Sequence, residues 1–410
     1  MARRGTLSGS SPSGWRVRAA LAIGAAWIGY GSVTQALAYM MRADAIERAH
    51  ALAPGDGRIT ALMSASMAGP QATAADRGRA DDLARAALRQ DPTAVTAVAT
   101  LGIDAQIRGD TANARRIFVY SDKLSRRDLR TRLWAIEDAV TRNDVPGTLY
   151  HYDIALRTSR LAPDSLFPGL ASAIADPPIR DALVRTLAAR PAWGELFVAY
   201  ASDNGPDSQA TARLFQDLYR HGIQPPDGVT RTLITRLLAE GHSGGAWIYY
   251  ASTTPGVNRR MSRDPRFSKS MADPSPFDWT PIADSGISAT IQRGKDGGIF
   301  DFAVPANLGG TLVRQAQMLP PGDYVLEGRS ARIDQPDGAL PYWTLTCGDE
   351  HELGRVDVPG SGQAGGRFAG RFTVPPACPV QQLMLVARPS DQMAGVTGQI
   401  LQVRLRPAPL

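Results

Sequence analysis

The hydrophobic period of the sequence changes once, near Phe277. Before this residue, apolar side chains recur at the three- and four-residue spacing of helices, whereas after it they alternate in short runs. Phe300, Phe302 and Val304, for example, share one face of a half-buried strand. A chain of 410 residues is long enough to hold two or more cores. The sequence therefore predicts a multidomain protein, with an all-α region followed by an all-β region.

The alternating runs beyond Phe277 are short and are separated by turn-forming residues such as Pro321-Gly322-Asp323. Runs of this length and spacing are typical of an antiparallel sandwich. Residues 277–410 are therefore predicted to form a β-sandwich. Its predicted strands cover residues 287–292, 299–305, 311–319, 324–333, 342–347, 368–374, 382–387 and 399–405.

The stretch from Ala19 to Met41 carries no charge and follows Arg16 and Arg18. As a helix it would extend for about 35 Å, enough to cross a hydrocarbon core of about 30 Å. We predict a transmembrane helix or signal anchor over 19–41, which would contact the inner membrane of a bacterium. Because the arginines precede it, residues 1–18 are predicted to be a cytoplasmic tail, with the bulk of this single-pass chain in the periplasm. Ala36-Leu37-Ala38 leaves a cleaved secretory signal open as the alternative.

Turns and small residues recur at a fixed interval in the helical region. Gly109-Asp110 is a predicted turn, and Asn143-Asp144 is the next turn of the same kind. Small, apolar and aromatic residues lie on both sides of the first turn. The helix before it contains small residues and ends at a proline. They are Leu101, Gly102, Ala114 and Phe118 around the turn, and Ala80, Ala84, Ala87 and Pro92 before it.

This pattern resembles the tetratricopeptide repeat, a helix–turn–helix unit of about 34 residues, which matches the interval from Gly109 to Asn143. One departure is Arg132, at a position where tryptophan is common in that family. The resemblance implies a helical repeat domain over 42–252 whose concave surface binds protein partners. Residues 253–276, which contain four prolines and a local excess of basic residues, are predicted to be a linker.

Residues 317–326, QMLPPGDYVL, join two predicted strands through a Pro-Gly turn. The run resembles the strand–turn–strand motif of galactose-binding-like jelly rolls and of several carbohydrate-binding module families. The resemblance implies a jelly-roll sandwich with polysaccharide as a partner. Because the motif is structural, any sugar-binding residues must lie elsewhere in the sandwich.

Sugars stack on exposed aromatic rings and are oriented by charged and amide groups. Tyr342 should share the polar face of its strand with two threonines, while the adjacent Trp343 faces the core. Tyr342 is therefore the first candidate for ligand binding. The further candidates, for which an ordinary surface or edge position is the alternative, are Trp279, Asp301, Arg329 and Arg388.

Two cysteines occur in the chain, Cys347 and Cys378, and both lie in the strand-rich region. In an exported protein, two isolated cysteines predict one structural disulfide. Two buried free thiols are the alternative.

The sequence lacks the local motifs that are typical of catalytic, metal and cofactor sites. The consecutive residues His151, Tyr152 and Asp153 would point in different directions on a helix and could not converge on one substrate atom. The acidic run 349–352 lacks the spacing of a calcium loop. A mild net charge of +6, with basic residues interleaved among acids, does not favour nucleic acid. We therefore expect a protein that is not an enzyme, with no cofactor, metal or nucleic-acid partner.

A repeat domain joined to a sandwich resembles accessory proteins of bacterial exopolysaccharide production. The resemblance implies a membrane-anchored periplasmic scaffold for the biosynthesis or export of exopolysaccharide or another cell-envelope glycan. Two alternatives stay open. One is an assembly factor that binds proteins only, and the other is a glycan lyase or hydrolase whose paired carboxylates are distant in sequence.

Overall fold

The computed structural model describes residues 12–226, 228–269, 273–284, 286–294, 297–348, 351–362 and 364–409. Within them, fourteen α-helices precede ten strands, which confirms the predicted order of an α region and a β-sandwich. The chain divides into two compact units, the first ending at Ala162 and the second beginning at Pro163.

The described part of the first unit is helical. The third helix packs on the fourth, the fifth on the sixth and the seventh on the eighth, so the unit is a series of helical hairpins. The helices are α1 (Pro12–Met41), α2 (Ile46–Leu52), α3 (Gly57–Met67), α4 (Ala74–Gln90), α5 (Val95–Ile107), α6 (Thr111–Leu124), α7 (Leu129–Thr141) and α8 (Val145–Thr158).

Aspartates begin the second helix of two successive hairpins. The side chain of Asp110 accepts a hydrogen bond from the amide of Asn113 at 3.1 Å, and that of Asp144 accepts one from Gly147 at 2.9 Å. Such caps satisfy amide groups that have no partner within the helix. They explain why α6 and α8 begin where they do.

The turns before these aspartates share one backbone geometry. Gly109 and Asn143 adopt left-handed conformations, with φ of 80° and 55°. The amides of Asp110 and Asp144 each return to the carbonyl oxygen five residues earlier, at 3.0 and 2.9 Å. The same αL turn therefore recurs in successive hairpins, which makes this region helical and repeat-like.

Glycine allows α5 and α6 to approach closely. A Cβ atom on Gly102 would lie 2.8 Å from the Cε2 and Cζ atoms of Phe118, nearer than side chains normally approach. Phe118 is itself buried and stacks on Trp134 of α7, with ring centroids 4.5 Å apart. The close contact thus links three successive helices.

Replacing Gly102 with alanine should lower the free energy of unfolding by about 1–2 kcal/mol, because the ring of Phe118 has little room to move. Urea titration with hydrogen-exchange detection of the α5 and α6 amides would measure the loss. Gly78→Ala is the matched control, since its Cβ would meet nothing within 4 Å. That change should stabilise the helix by up to about 1 kcal/mol. Losses of equal size in both variants would contradict the packing argument.

Helix α1 does not have the character predicted for residues 19–41. No helix in the described part of the chain is both long and apolar enough to span a membrane. The stretch includes three glycines and Gln35, which lower its hydropathy. Its last turns instead pack within the first unit, where Ala38 is fully buried and the hydroxyl of Tyr39 donates to Asp56 at 3.2 Å. The predictions of a transmembrane helix, of a membrane contact through 19–41 and of a single-pass inner-membrane location are therefore wrong.

The second unit begins with helices and continues into the strands. Helix twelve lies at the centre of the helical part and contacts helices ten, eleven, thirteen and fourteen. These helices are α9 (Ala162–Ala173), α10 (Pro177–Ala188), α11 (Gly194–Asn204), α12 (Ser208–Arg220), α13 (Val229–Ala239) and α14 (Ser243–Thr253).

The strands that follow are β1 (Thr280–Pro281), β2 (Ser288–Gly294), β3 (Gly297–Val304), β4 (Gly310–Gln317), β5 (Gly322–Ala331), β6 (Tyr342–Cys347), β7 (His351–Asp357), β8 (Arg367–Val374), β9 (Gln381–Ala387) and β10 (Val396–Pro407). They form two antiparallel five-stranded sheets. Sheet A has the order β1-β4-β9-β6-β7, and sheet B has the order β2-β3-β10-β5-β8.

The sheets bury their apolar faces against each other. Phe300, Phe302 and Val304 of β3 all lie in this core, as their alternation predicts. The Pro-Gly turn between β4 and β5 is held by Tyr324, whose hydroxyl donates to the carbonyl oxygen of Pro320 at 2.8 Å. The tyrosine of this motif is thus structural.

A disulfide joins Cys347, at the end of β6, to Cys378 in the segment before β9. The Cα atoms of the two residues are 5.6 Å apart, within the range that the bond requires. The predicted disulfide is therefore confirmed.

A buried arginine connects α14 to the sandwich. Arg263 is only 4% exposed, and its Nε donates to the carbonyl oxygen of Phe277 at 2.7 Å. Its guanidinium also donates to the carbonyl of Ala316 and to the side chain of Gln317, and it lies 5.6 Å from the ring centroid of Trp247 in α14. Burial lowers the pKa of Arg263 to about 10.

A second polar contact lies beside this arginine. The hydroxyl of Tyr250, also in α14, donates to Asp278 at 2.7 Å, and Ser275 donates to the other oxygen of that carboxylate at 2.6 Å. Burial raises the pKa of Tyr250 above its usual range, and the charge of Asp278 raises it further. The Tyr250–Asp278 hydrogen bond therefore ties α14 to the segment that leads into β1, and Arg263 links Trp247 of α14 to β4.

Candidate functional site

Tyr342 forms the centre of a cluster on the outer face of sheet A. Strand β6 turns Trp343 inward, where it is fully buried, and leaves Tyr342 partly exposed. The guanidinium carbons of Arg355 and Arg388 lie 4.7 and 4.5 Å from the centroid of the tyrosine ring. Arg355 is on β7 and Arg388 follows β9, the two strands that flank β6. We call Tyr342, Arg355 and Arg388, with the two carboxylates described next, the Tyr342 cluster.

Carboxylates and a carbonyl hold the two arginines in place. Arg388 donates to the carbonyl oxygen of Leu340 at 2.6 Å and to Asp357 at 2.7 Å. Arg355 pairs with Glu352 through both nitrogens of its fork, one of them at 2.7 Å. The hydrogen bond from Glu352 raises the pKa of Arg355. The cluster is therefore a fixed array of cations around one aromatic ring.

This arrangement can recognise a polar ligand more readily than an apolar one. The exposed guanidinium edges can donate hydrogen bonds to hydroxyl, carbonyl or carboxylate oxygens. Stacking of a sugar on Tyr342 would compete with the two cation–π contacts. The geometry therefore favours hydrogen bonding to a ligand over stacking on a bare ring.

The five predicted ligand-binding residues do not all meet. Tyr342 and Arg388 are in contact. Trp279 is 5% exposed in the sandwich core, and its indole nitrogen donates to the carbonyl oxygen of Asp264 at 2.9 Å. Asp301 and Arg329 lie on sheet B, where Asp301 accepts a hydrogen bond from Gln399 at 2.7 Å.

Sequence reasoning missed Arg355 and Asp357 and considered Glu352 only as part of the acidic run 349–352, because β7 was not among the predicted strands. Buried and exposed side chains do not alternate clearly along β7, where only Val356 is buried. Of the acidic run, Asp349 and Glu350 lie outside the described residues. Among the residues that are described, no group of three or more His, Cys, Asp or Glu side chains is placed to hold a metal ion.

A second candidate site is a groove of about 380 Å³ between α6, α7 and α8. The Phe118–Trp134 stack forms one wall, and Val119 lies at its edge with 53% of its surface exposed. The indole nitrogen of Trp134 donates to the side chain of Gln106 at 3.2 Å, which fixes the ring. We call this cavity the helical groove.

Arg132 lies in the helical groove and is only 1% exposed. It pairs with Asp122 and donates to the Nδ1 atom of His151 at 3.2 Å. Burial lowers the pKa of His151, and the charge of Arg132 lowers it further. Neutral His151 therefore accepts from the arginine. Its sequence neighbour Asp153 binds Arg157 at 2.8 Å, so the run 151–153 does not converge on one point.

Both candidate sites offer shape, charge and hydrogen-bonding groups to a ligand. The groove combines aromatic rings with the Arg132–Asp122 ion pair, and the Tyr342 cluster combines an aromatic ring with two cations. In comparison with known proteins, no protein-family model and no curated protein matches the chain.

Proposed function

We propose that this protein is a non-catalytic scaffold in the production or export of an extracellular or cell-envelope polysaccharide. Its helical repeats, which we take to be tetratricopeptide-like, bind a protein partner through the helical groove. Its sandwich, which we take to be a carbohydrate-binding jelly roll, holds the saccharide at the Tyr342 cluster.

The observation that carries the proposal is the αL turn that recurs in successive hairpins, at Gly109 and Asn143. Units that repeat in geometry stack into arrays whose surfaces are used mainly for binding other chains. Close packing of Gly102 on Phe118 supports the tetratricopeptide-like reading, because that family places small residues where helices meet. Arg132 stands where tryptophan is common in that family, and its side chain is buried there as a tryptophan would be.

The Tyr342 cluster also supports a second candidate, an assembly factor that binds proteins only. Tyrosine and arginine are among the residues enriched at the energetic centres of protein interfaces. A sandwich face with one tyrosine between two arginines therefore suits a protein surface as well as a saccharide. The two candidates differ in what the sandwich binds and agree on the helical groove.

Changing Val119 to glutamate should reduce recovery of the protein partner about tenfold or more, because a charge at the edge of the groove would have to be desolvated on binding. Full-length protein would be used as bait, with a photo-cross-linker at position 119 to identify the partner by mass spectrometry. Val140→Glu is the control, since Val140 is equally exposed, at 55%, and does not line the groove. Equal recovery with both variants would exclude the groove as the partner site.

Changing Arg388 to methionine should reduce retention of the full chain on its native polysaccharide about tenfold, because the variant loses the donor fork beside Tyr342. Arg314→Met is the control, since Arg314 is exposed on β4 of the same sheet and outside the cluster. If Arg388→Met is retained as well as Arg314→Met, the cluster does not bind the glycan. Cross-linking of the cluster to another protein would then favour the assembly factor.

A further inference from the structure

The outer face of sheet B carries a concentrated positive charge. Strands β10, β5 and β8 are neighbours, and their registers place nine outward-facing residues in three rows. We call these nine positions the arginine face. The rows are Gln402–Arg329–Arg367, Arg404–Glu327–Ala369 and Arg406–Val325–Arg371.

Five of the nine residues are arginines and one is a glutamate, so the face has a formal charge of +4, against +6 for the whole chain. The glutamate, Glu327, is paired with Arg406 through two hydrogen bonds of 2.9 Å. That bond, and then the charges of Arg406 and Arg404, lower the pKa of Glu327. The nine positions therefore carry a local excess of positive charge.

The stability of the fold does not account for this pattern. Arg329 and Arg367 stand directly opposite each other across β5 and β8, where like charges are destabilising. Both are exposed, as is Arg371, and within the described part of the chain none of the three forms an ion pair. The face thus holds three exposed arginines whose donor groups a bound anion would satisfy.

The dimensions of the face indicate an extended ligand. Three strands at about 4.8 Å spacing and rows about 7 Å apart give an area of about 10 by 14 Å. The fork of arginine pairs bidentately with carboxylate or phosphate groups. Proteins that bind single-stranded nucleic acid add aromatic side chains for stacking, and none of the nine positions is aromatic. A flexible polymer with repeated carboxylates therefore fits the face better than a nucleic acid.

We propose that the arginine face binds an acidic polysaccharide, with its carboxylates paired to Arg329, Arg367 and Arg371. This inference rests on the proposed role of the sandwich in glycan binding and names the class of glycan. It assigns the recognition of acidic groups to sheet B, whereas the Tyr342 cluster lies on sheet A.

The test compares two forms of one polymer, polygalacturonate and its fully methyl-esterified derivative, in binding to the full-length protein at low ionic strength. The Gln triple variant Arg329→Gln, Arg367→Gln, Arg371→Gln should bind polygalacturonate about tenfold more weakly or worse, with a shallower dependence on salt. The corresponding Lys triple keeps the charge and loses the fork, and should also bind more weakly than the natural protein. The control removes the same charge at three exposed arginines of the first unit, Arg126, Arg127 and Arg130, and should not alter binding.

The proposal is supported if the Gln triple binds polygalacturonate more weakly than the natural protein while the first-unit control binds it normally. The natural protein should also bind the esterified polymer only weakly. Equal affinity of the Gln triple and the natural protein for polygalacturonate would overturn the proposal, as would equal binding of the esterified polymer. Tighter binding of single-stranded DNA on the same face would also overturn it. If the Gln triple keeps its retention on native polysaccharide while Arg388→Met loses it, this inference fails and the proposed function stands. If the natural protein is not retained on native polysaccharide, the glycan part of the proposed function fails instead.

Discussion

Replacing Arg263 with methionine should lower the free energy of unfolding of the second unit by about 4 kcal/mol, because several buried acceptors lose their donor at once. Methionine fills a similar volume but cannot donate, so the carbonyl oxygens of Phe277 and Ala316 and the side chain of Gln317 would lose a buried partner. Each buried acceptor left without a donor costs about 1–3 kcal/mol. Urea titration of the full chain, with hydrogen exchange resolved for α14 and β4, would measure the loss and locate it.

Arg260→Met is the matched control for this change. Arg260 is exposed three residues earlier, so its loss removes the same charge and should change stability by less than about 0.5 kcal/mol. Arg263→Lys should be intermediate, because an ammonium group carries the charge but cannot reach three acceptors as a planar fork does. Equal urea midpoints for Arg263→Met and Arg260→Met would show that the hydrogen bonds of the buried arginine do not stabilise the second unit.

Removing the Cys347–Cys378 bond should lower the free energy of unfolding of the second unit by about 3 to 4 kcal/mol. The bond closes a loop with a sequence separation of 31, and its loss lets the unfolded chain explore more conformations. The double variant Cys347→Ser, Cys378→Ser would be compared with the natural protein in urea. The rate of amide hydrogen exchange should increase most in β6 and β9, the strands next to the bond.

Reducing agent provides an internal control, because the chain has only these two cysteines. It should shift the natural protein toward the stability of the double serine variant and leave that variant unchanged. Two free thiols counted in the denatured, unreduced natural protein would contradict the presence of the bond.

The repeat in the helical region was predictable because its signals are local. A glycine or asparagine before an aspartate indicates a left-handed turn and a helix cap, and the interval from Asp110 to Asp144 is visible in the sequence. The ion pair of the buried Arg132 with Asp122 was not predictable, because it depends on how α6 and α7 pack. The error at 19–41 has a different origin. Absence of charge is a weaker signal than hydropathy, and the glycines and polar residues of that stretch lower the hydropathy.

In the sandwich, alternation located every strand with a strongly buried face. It missed β1, which has two residues, and β7, an edge strand with one buried side chain. Only two of the five ligand-binding candidates are in contact, because alternation does not show which strands become neighbours. Tyr342 and Arg388 were recognisable by residue type, whereas Arg355 is brought to the ring by β7, and Arg329 belongs to the opposite sheet.

The anchoring of α14 affects where this protein can be divided for biochemistry. The segment just before Phe277 supplies Arg263 to the core, and Ser262 exchanges two hydrogen bonds with Leu405 of β10, at 2.9 and 2.8 Å. A fragment that begins at Phe277 would lack these groups. The backbone of β10 at Leu405 would then lose its hydrogen-bond partners, and the fragment should aggregate more readily. Ligand screening of the sandwich should therefore use a fragment that begins before Ser243, so that α14 and the segment with Ser262 and Arg263 remain attached.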